Sequence, residues 1–263
     1  MNNILAFEEL MLNASPVTSR NFYRGFILNY NGLTPFTNSV HAIYAKNDED
    51  LRYAVEGINR RLLSGGKVPM YRIIGLKEYK ELDRILFRIN FDKILPFLVI
   101  SCSLKNFSDK LFKFASFYEN GVFIDKNITI DSQKWLDDYF YLEGMNRGEQ
   151  DVFLDMLSMT ECPRYAFTLI QENTLIGCAY ATRHDRALVL HEIIINEKYR
   201  GLGYSSKLLM SILTLALRED CQIMIAQIPD ESIGKGRLTG GLFTEEFFDV
   251  LYGGYYRAEI KNI

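Results

Sequence analysis

The chemistry-bearing residues of this 263-residue chain concentrate between His191 and Ser206, in the run HEIIINEKYRGLGYSS. An apolar stretch, Ile193-Ile194-Ile195, delivers the chain into a short loop holding Arg200, Gly201, Leu202 and Gly203, and Tyr204 opens a long amphipathic segment. Glycine lets a backbone take positive φ and lets a ligand approach closely. The first amides of a helix have no intrahelical acceptor, and the helix dipole favours negative charge beside them. A strand, a glycine loop and a helix start in that order suit an anion, typically a phosphate. Arg200 adds a forked cation at the loop's edge, and Ser205 and Ser206 add hydroxyl donors in the first helical turn. A glycine-softened connection that binds nothing would use the same residues, and local physics does not separate the two.

Two other phosphate loops are excluded. No GxxxxGK[ST] run is present, so there is no P-loop. The dinucleotide fingerprint GxGxxG is half matched from Gly201 to Ser206, but its third glycine is missing. The acidic residue expected some twenty positions on is also missing, since Ile223 stands there.

The elements that must position this loop follow from periodicity and turn residues. Glu149–Leu157 is expected to be helical. Tyr165–Gln171 and Leu175–Arg183 are expected as a hairpin about Glu172–Thr174, with Ala187–Ile195 as a third, strongly apolar strand. A helix over Tyr204–Arg218 buries Leu208, Leu209, Ile212, Leu213, Ala216 and Leu217. Gln222–Ile228 is the next strand. The first half has its own elements. Asn21–Tyr30 is a strand, Asn31-Gly32 a turn, and Thr37–Tyr44 a second extended stretch. A helix over Asp48–Leu63 is capped by Asn47 or Asp48 and stopped by Gly65-Gly66. Tyr71–Ile74 is a strand, Leu76–Ile89 a helix and Lys93–Cys102 a strand. Between Ser103 and Lys134 the pattern weakens, with a short helix or irregular crossing at Asp109–Glu119 and a turn at Asn120-Gly121. The length admits two small domains at roughly 100–200 residues each. The expected division is 1–130 and 131–263. The fold class is α/β (α+β), with a mixed, mostly antiparallel central sheet flanked by helices.

Composition narrows the function classes. Thirty Lys+Arg against 33 Asp+Glu give a net charge of −3, which argues against a nucleic-acid partner. The longest apolar stretch, near Ile94–Ile100, is interrupted by Pro96 and suits a buried strand rather than a membrane span. The start, MNNILAFEELML, has no basic region and carries Glu8 and Glu9, unlike a signal peptide. Cys102, Cys162, Cys178 and Cys221 are far apart, with no CxxC pair and no metal spacing, so no metal is expected. A cytoplasmic protein with reduced thiols is expected.

Ile193-Ile194-Ile195-Asn196, then Tyr199-Arg200-Gly201-Leu202-Gly203-Tyr204-Ser205 and an amphipathic helix, resembles the acyl-CoA site of the GNAT superfamily of N-acyltransferases. In the motif [Q/R]-x-x-G-x-[G/A], Arg200 fills the first place and Gly203 the glycine, while Ser205 replaces the final small residue. The likeness covers about residues 135–228. Phe22–Tyr30, Thr37–Val40, a helix and Met70–Ile73 are similar to the degenerate GNAT-like N-terminal half of two-domain bacterial members, which lacks a phosphate loop here. The resemblance implies acetyl-CoA as co-substrate, with its pyrophosphate on the amides from Gly201 to Ser206. Its pantetheine arm would run along Ile193–Ile195 by main-chain hydrogen bonds, and an amide near Ile193 would polarise the thioester. It implies N-acetyl transfer to a primary amine of a small molecule or peptide, by a monomer or homodimer. A non-catalytic acyl-CoA-binding or sensory module is the alternative.

The acid and base are less plainly written. Glu192 and His191 begin the strand where the family keeps its base. Neighbouring strand residues face opposite ways, so only one faces substrate unless a bulge intervenes. Glu192 is the candidate base, because burial beside Ile193 and Ile194 would raise its pKa; a structural ion pair and a core histidine are the plain alternatives. The family's later Asn and Tyr are replaced by Ser232 and Leu238 in a glycine-rich run from Pro229 to Gly241. Tyr252, Tyr255 and Tyr256 remain as stand-ins for the acid, with Tyr255 the candidate, or else as strand aromatics.

Overall fold

Alternating apolar residues and tight turns draw most of the chain into one continuous sheet. The computed structural model describes residues 2–45, 50–106, 121–126, 128, 132–230 and 247–259. Helix α1 (Asn2–Ala14) precedes β1 (Ser19–Tyr23), β2 (Phe26–Tyr30) and β3 (Val40–His41). Then come α2 (Leu51–Ser64), β4 (Met70–Ile74), α3 (Lys80–Arg88) and β5 (Asp92–Ser103). The first half ends with β6 (Val122–Lys126), and the second supplies α4 (Gln133–Glu143), α5 (Arg147–Ser158), β7 (Arg164–Gln171), β8 (Thr174–His184) and β9 (Ala187–Ile195). The second half ends with α6 (Tyr204–Arg218), β10 (Ile223–Pro229) and β11 (Asp249–Ala258).

The eleven strands lie in the order β1-β2-β3-β4-β11-β5-β10-β9-β8-β7-β6. Two neighbouring pairs, β3·β4 and β9·β10, are parallel and the others antiparallel. Parallel neighbours need a crossover, and α2 and α6 supply one in each half. The fold is therefore the expected mixed, mostly antiparallel sheet with flanking helices, and the β3–α2–β4 unit echoes β9–α6–β10.

The sheet does not divide where the chain does. The last strand, β11, lies between β4 and β5 of the first half, and β5 pairs along β10 of the second. Side chains follow the backbone. Leu98, Ile100 and Cys102 of β5 pack into the second half's core with Leu208 and Ile212 of α6. Tyr252 and Tyr256 of β11 pack into the first half's core with Val55, Ile58 and Tyr71. A third core lies between α4, α5 and the sheet, where Trp135, Tyr139 and Phe153 meet Tyr180.

Several local expectations change. The single strand over Asn21–Tyr30 is a hairpin that turns at Arg24 and Gly25, both at positive φ (49° and 82°). Such a two-residue turn matches the twist of its strands, and Gly25 is required because a Cβ there would lie 2.4 Å from the carbonyl oxygen of Tyr44. Leu76–Ile89 is a short 3-10 turn, Lys77–Tyr79, followed by α3 rather than one helix. The α5 start carries a full capping box, with Asn146 accepting from Glu149 N and Glu149 from Asn146 N. The caps expected at Asn47 and Asp48, the crossing at Asp109–Glu119 and the run from Ser232 to Gly241 lie outside the described residues.

Candidate active site

Strand β9 opens a cleft because its two edges are treated differently. On one side it pairs with β8 to its end at Ile195. On the other it pairs with β10 over Ala187–Leu190 only, while β10 continues to Pro229 against β5. The divergence starts at a bulge. Tyr180 faces Glu192 and Ala181 faces Leu190, leaving His191 as the extra residue. A bulge adds local twist and re-aims side chains. Beyond it, β9 has no strand partner on its β10 side, and the Ile193 backbone groups and Ile195 amide on that edge can hydrogen-bond an extended ligand, while Ile195 O accepts from Arg200.

The loop after β9 is built to present amides. Asn196 starts it, its side chain accepting from Lys198 N at 3.2 Å. Arg200 Nε donates to Ile195 O at 3.2 Å, and its guanidinium lies 3.6 Å from Glu197. Gly201 and Gly203 have φ of 78° and 82°, a region costly for other residues. A Cβ built on either meets no atom within 4 Å, so both face open space. Gly203 caps α6, whose start has no side-chain cap, and Lys207 N to Gly203 O closes its first turn. The amides of Tyr204, Ser205 and Ser206 thus have no intrahelical acceptor. The resulting groove, about 430 Å³, is lined by Glu143, Glu192–Ile195, Tyr199, Arg200, Gly201, Tyr204 and Ser205.

A second cavity of about 190 Å³ adjoins it, also walled by Glu143 and Glu192. Both halves of the chain build it. Met11, Leu33 and Phe36 come from the first, Tyr139 and Phe153 from α4 and α5, and Gln227 from β10. Burial first, and then the nearby Glu143 carboxylate, push the Glu192 carboxyl up to about 7. Burial also raises the Glu143 carboxyl from its ordinary value. His191 is driven the other way, to about 4, by burial. Its Nε2 lies 2.8 Å from Thr182 Oγ1, and Thr182 donates its single proton to Ala14 O at 2.7 Å. His191 Nε2 therefore carries the hydrogen and donates to Thr182. The ring stacks on Tyr180 and is neutral at pH 7.

The first-half wall is held by a buried ion pair. Arg72 of β4 makes bidentate contacts of 2.7–3.0 Å with Glu8 of α1. It also donates to Gln227 Oε1 and Tyr256 Oη at 2.5 and 2.9 Å. Burial alone would raise the Glu8 carboxyl, but the Arg72 charge and its hydrogen bonds, with His41 3.8 Å away, hold it at about 2. The Arg72 cation is thus neutralised behind Gln227, which itself reaches the cavity.

The family model described as Acetyltransferase (GNAT) family matches residues 131–232, the stretch that contains β9, the glycine loop, α6 and β10. Residues 131–232 are a GNAT domain. Solved structures share the fold over nearly the whole chain. A GCN5-related N-acetyltransferase from Kribbella flavida superposes with a TM-score of 0.64 at 9% identity, covering 97% of this chain and 95% of its own. A functionally unknown conserved protein from Staphylococcus epidermidis gives 0.61 at 10% identity, with 95% and 96% covered. A tandem GNAT protein from the clavulanic acid biosynthesis pathway gives 0.58 at 9% identity, with 83% and 74% covered. Comparison with curated proteins finds no match.

Within the GNAT domain, Glu192, Ile193, Ile194, Ile195, Arg200, Gly201, Tyr204 and Ser205 come together along the groove. Leu202, 65% exposed, and Ser206 stand outside its lining, as does Gly203 at the helix cap. The bulge lets both His191 and Glu192 wall the second cavity, where simple alternation admits one. Tyr255 requires a correction: it lines neither cavity. Its hydroxyl donates to Asp83 Oδ1 at 2.7 Å in the first half, and burial and that carboxylate raise its pKa well above the ordinary phenol range. Tyr252 donates to Glu8, and Tyr256 accepts from Arg72. All three hydroxyls find partners beside the first half's core, where β11 packs. Glu143, Tyr139, Tyr180 and Gln227 have no local sequence signal and join the candidate site only through packing.

No helix among the described residues is long and apolar enough to cross a membrane. No group of three His, Cys, Asp or Glu among them is placed to hold a metal.

Proposed function

We propose that this protein transfers an acetyl group from acetyl-CoA to a primary amine. GNAT domains in general carry out acyl-CoA-dependent acetyl transfer. The observation that carries the reading here is Glu192, a carboxyl pushed up to about 7 at the junction of the two cavities. The groove fits a CoA pyrophosphate: two positive-φ glycines face open space at an uncapped helix start beside Arg200. The β10-side edge of β9 beyond Leu190, where no strand pairs, suits the pantetheine amides.

Bound acetyl-CoA would supply an activated acyl thioester. The chain's own residues would do the rest. The second cavity would hold the amine, and the Glu192 carboxylate would take a proton from the ammonium, freeing its lone pair. A pKa near the working pH suits a base that must be ionised and still basic. The Ile193 amide would polarise the acyl oxygen while the amine nitrogen bonds to the acyl carbon; the C–S bond then breaks, and CoA leaves as the thiol with the second N–H proton. His191, neutral and donating to Thr182, would orient the bulge rather than carry charge. A cytoplasmic setting and a monomer or homodimer remain part of this proposal.

The tying-up of Tyr252, Tyr255 and Tyr256 favours a second reading, an acyl-CoA-binding module without catalysis. Release of CoA thiol from acetyl-CoA, measured with a panel of amines, separates the two. Amine-dependent release with formation of the acetylated amine is expected. Tight acetyl-CoA binding with no amine-dependent release would overturn the enzyme in favour of the binding module.

A further inference from the structure

We propose that the acceptor is a primary amine on a compact, apolar, ring-sized body that bears no carboxylate or phosphate. This deepens the acetyltransferase reading and rests on it. The second cavity has two carboxyls at its junction with the groove, Glu143 and Glu192. Neither Lys nor Arg lines it among the described residues. Its histidine, His191, is neutral because burial holds its pKa at about 4. The buried cation behind Gln227, Arg72, is bound bidentately by Glu8 and also donates to Gln227 Oε1. An ammonium entering here meets compensating charge, whereas a carboxylate or phosphate would be buried beside two acidic groups with no partner.

Much of the remaining wall is apolar, including Met11, Leu33, Phe36, Met145, Phe153 and Met156. Such a surface favours shape and apolar area, with uncharged groups such as Thr37 and Gln227 available to orient the ligand. At about 190 Å³ the space is somewhat larger than the roughly 150 Å³ that admits a benzene ring, so a ring with a short aminoalkyl arm fills it.

The test compares 2-phenylethylamine, phenylalanine and a phenylalanine-initiated tripeptide on the full chain. Binding is read by calorimetry in the presence of CoA, and turnover by amide product with acetyl-CoA. We expect 2-phenylethylamine to exceed phenylalanine by roughly 100-fold in both, because the added carboxylate is buried beside like charge. Equal or better use of phenylalanine or the tripeptide, in binding or in turnover, would overturn the assignment. The expected binding order without any turnover would keep the amine class and sink acetyl transfer instead. No binding of 2-phenylethylamine would overturn the class directly, whatever the turnover of other amines. Leu33→Arg, at a half-buried wall position, should raise phenylalanine relative to 2-phenylethylamine by roughly tenfold. Thr34→Lys on the exposed rim tests the same point should the first variant fold poorly. An unchanged ratio in a folded variant counts against the proposal.

Discussion

Glu143 and Glu192 are the two side chains common to the glycine-loop groove and the apolar cavity beside it. Glu143 ends α4, and Glu192 follows the bulge of β9. Their proximity gives Glu192 a second reason, after burial, to hold its proton up to about pH 7.

If Glu192 is the base, activity should rise through about pH 7 as its carboxyl ionises. Glu192→Gln should lower kcat by roughly 10²–10⁴-fold and remove that acidic limb, with little change in acetyl-CoA affinity. Glu143→Gln should keep the limb and move it to lower pH, since one raising influence is gone. Matching pH–rate profiles for the parent and Glu192→Gln across roughly pH 6–9 would sink the assignment.

The same carboxyl should cost stability. Its folded pKa of about 7 lies above the ordinary 4.5, so between these values the folded state holds a proton that the unfolded chain has lost. Stability therefore falls as pH rises from 4.5 to about 7, and the full cost persists above that. Glu192→Gln should raise stability above neutrality by up to about 3 kcal/mol and change it little below pH 4.5. Urea denaturation at acid and alkaline pH checks this. An equal effect at both would point to packing rather than charge.

Gly203 sits at φ 82° with open space where a Cβ would go. Gly203→Val should weaken CoA binding by roughly tenfold or more, because its side chain enters the approach to the helix amides. Gly203→Ala should lie between. Calorimetric titration giving parent-like affinity for the valine variant would remove the loop from the binding site.

Cutting the chain near residue 130 separates strands that pair across it. The second piece would lose β5 from β10, β6 from β7 and both β4 and β5 from β11, exposing open strand edges and apolar side chains. The fragment 131–263 should aggregate alone and recover solubility when produced together with 1–130. A soluble, cooperatively folding 131–263 fragment would show that the shared sheet is dispensable.

Local elements of the second half were legible in the residues themselves. Ala187–Ile195 and Tyr204–Arg218 fold with the bounds that their apolar runs and the glycines between them predict. Periodicity and glycine punctuation act over a few residues, so strand, loop and helix start needed no distant partner. Arg200, Gly201 and Ser205 reach the groove for that reason, and the strand–loop–helix order carried the GNAT resemblance.

The tertiary structure decided what depends on pairing between distant segments. The bulge at His191 exists only relative to β8, so residue alternation could not show that His191 and Glu192 share a cavity. Tyr255 resembles a usable acid in the chain, but its strand pairs with β4 of the first half and its hydroxyl donates to Asp83. Glu143 is an unremarked helix-end carboxylate until α4 packs it beside Glu192, where burial and like charge set the proton affinity of the site. Strand exchange, register and burial are properties of contacts between segments far apart in the chain, and those contacts made a phosphate-type loop into one side of a two-cavity site.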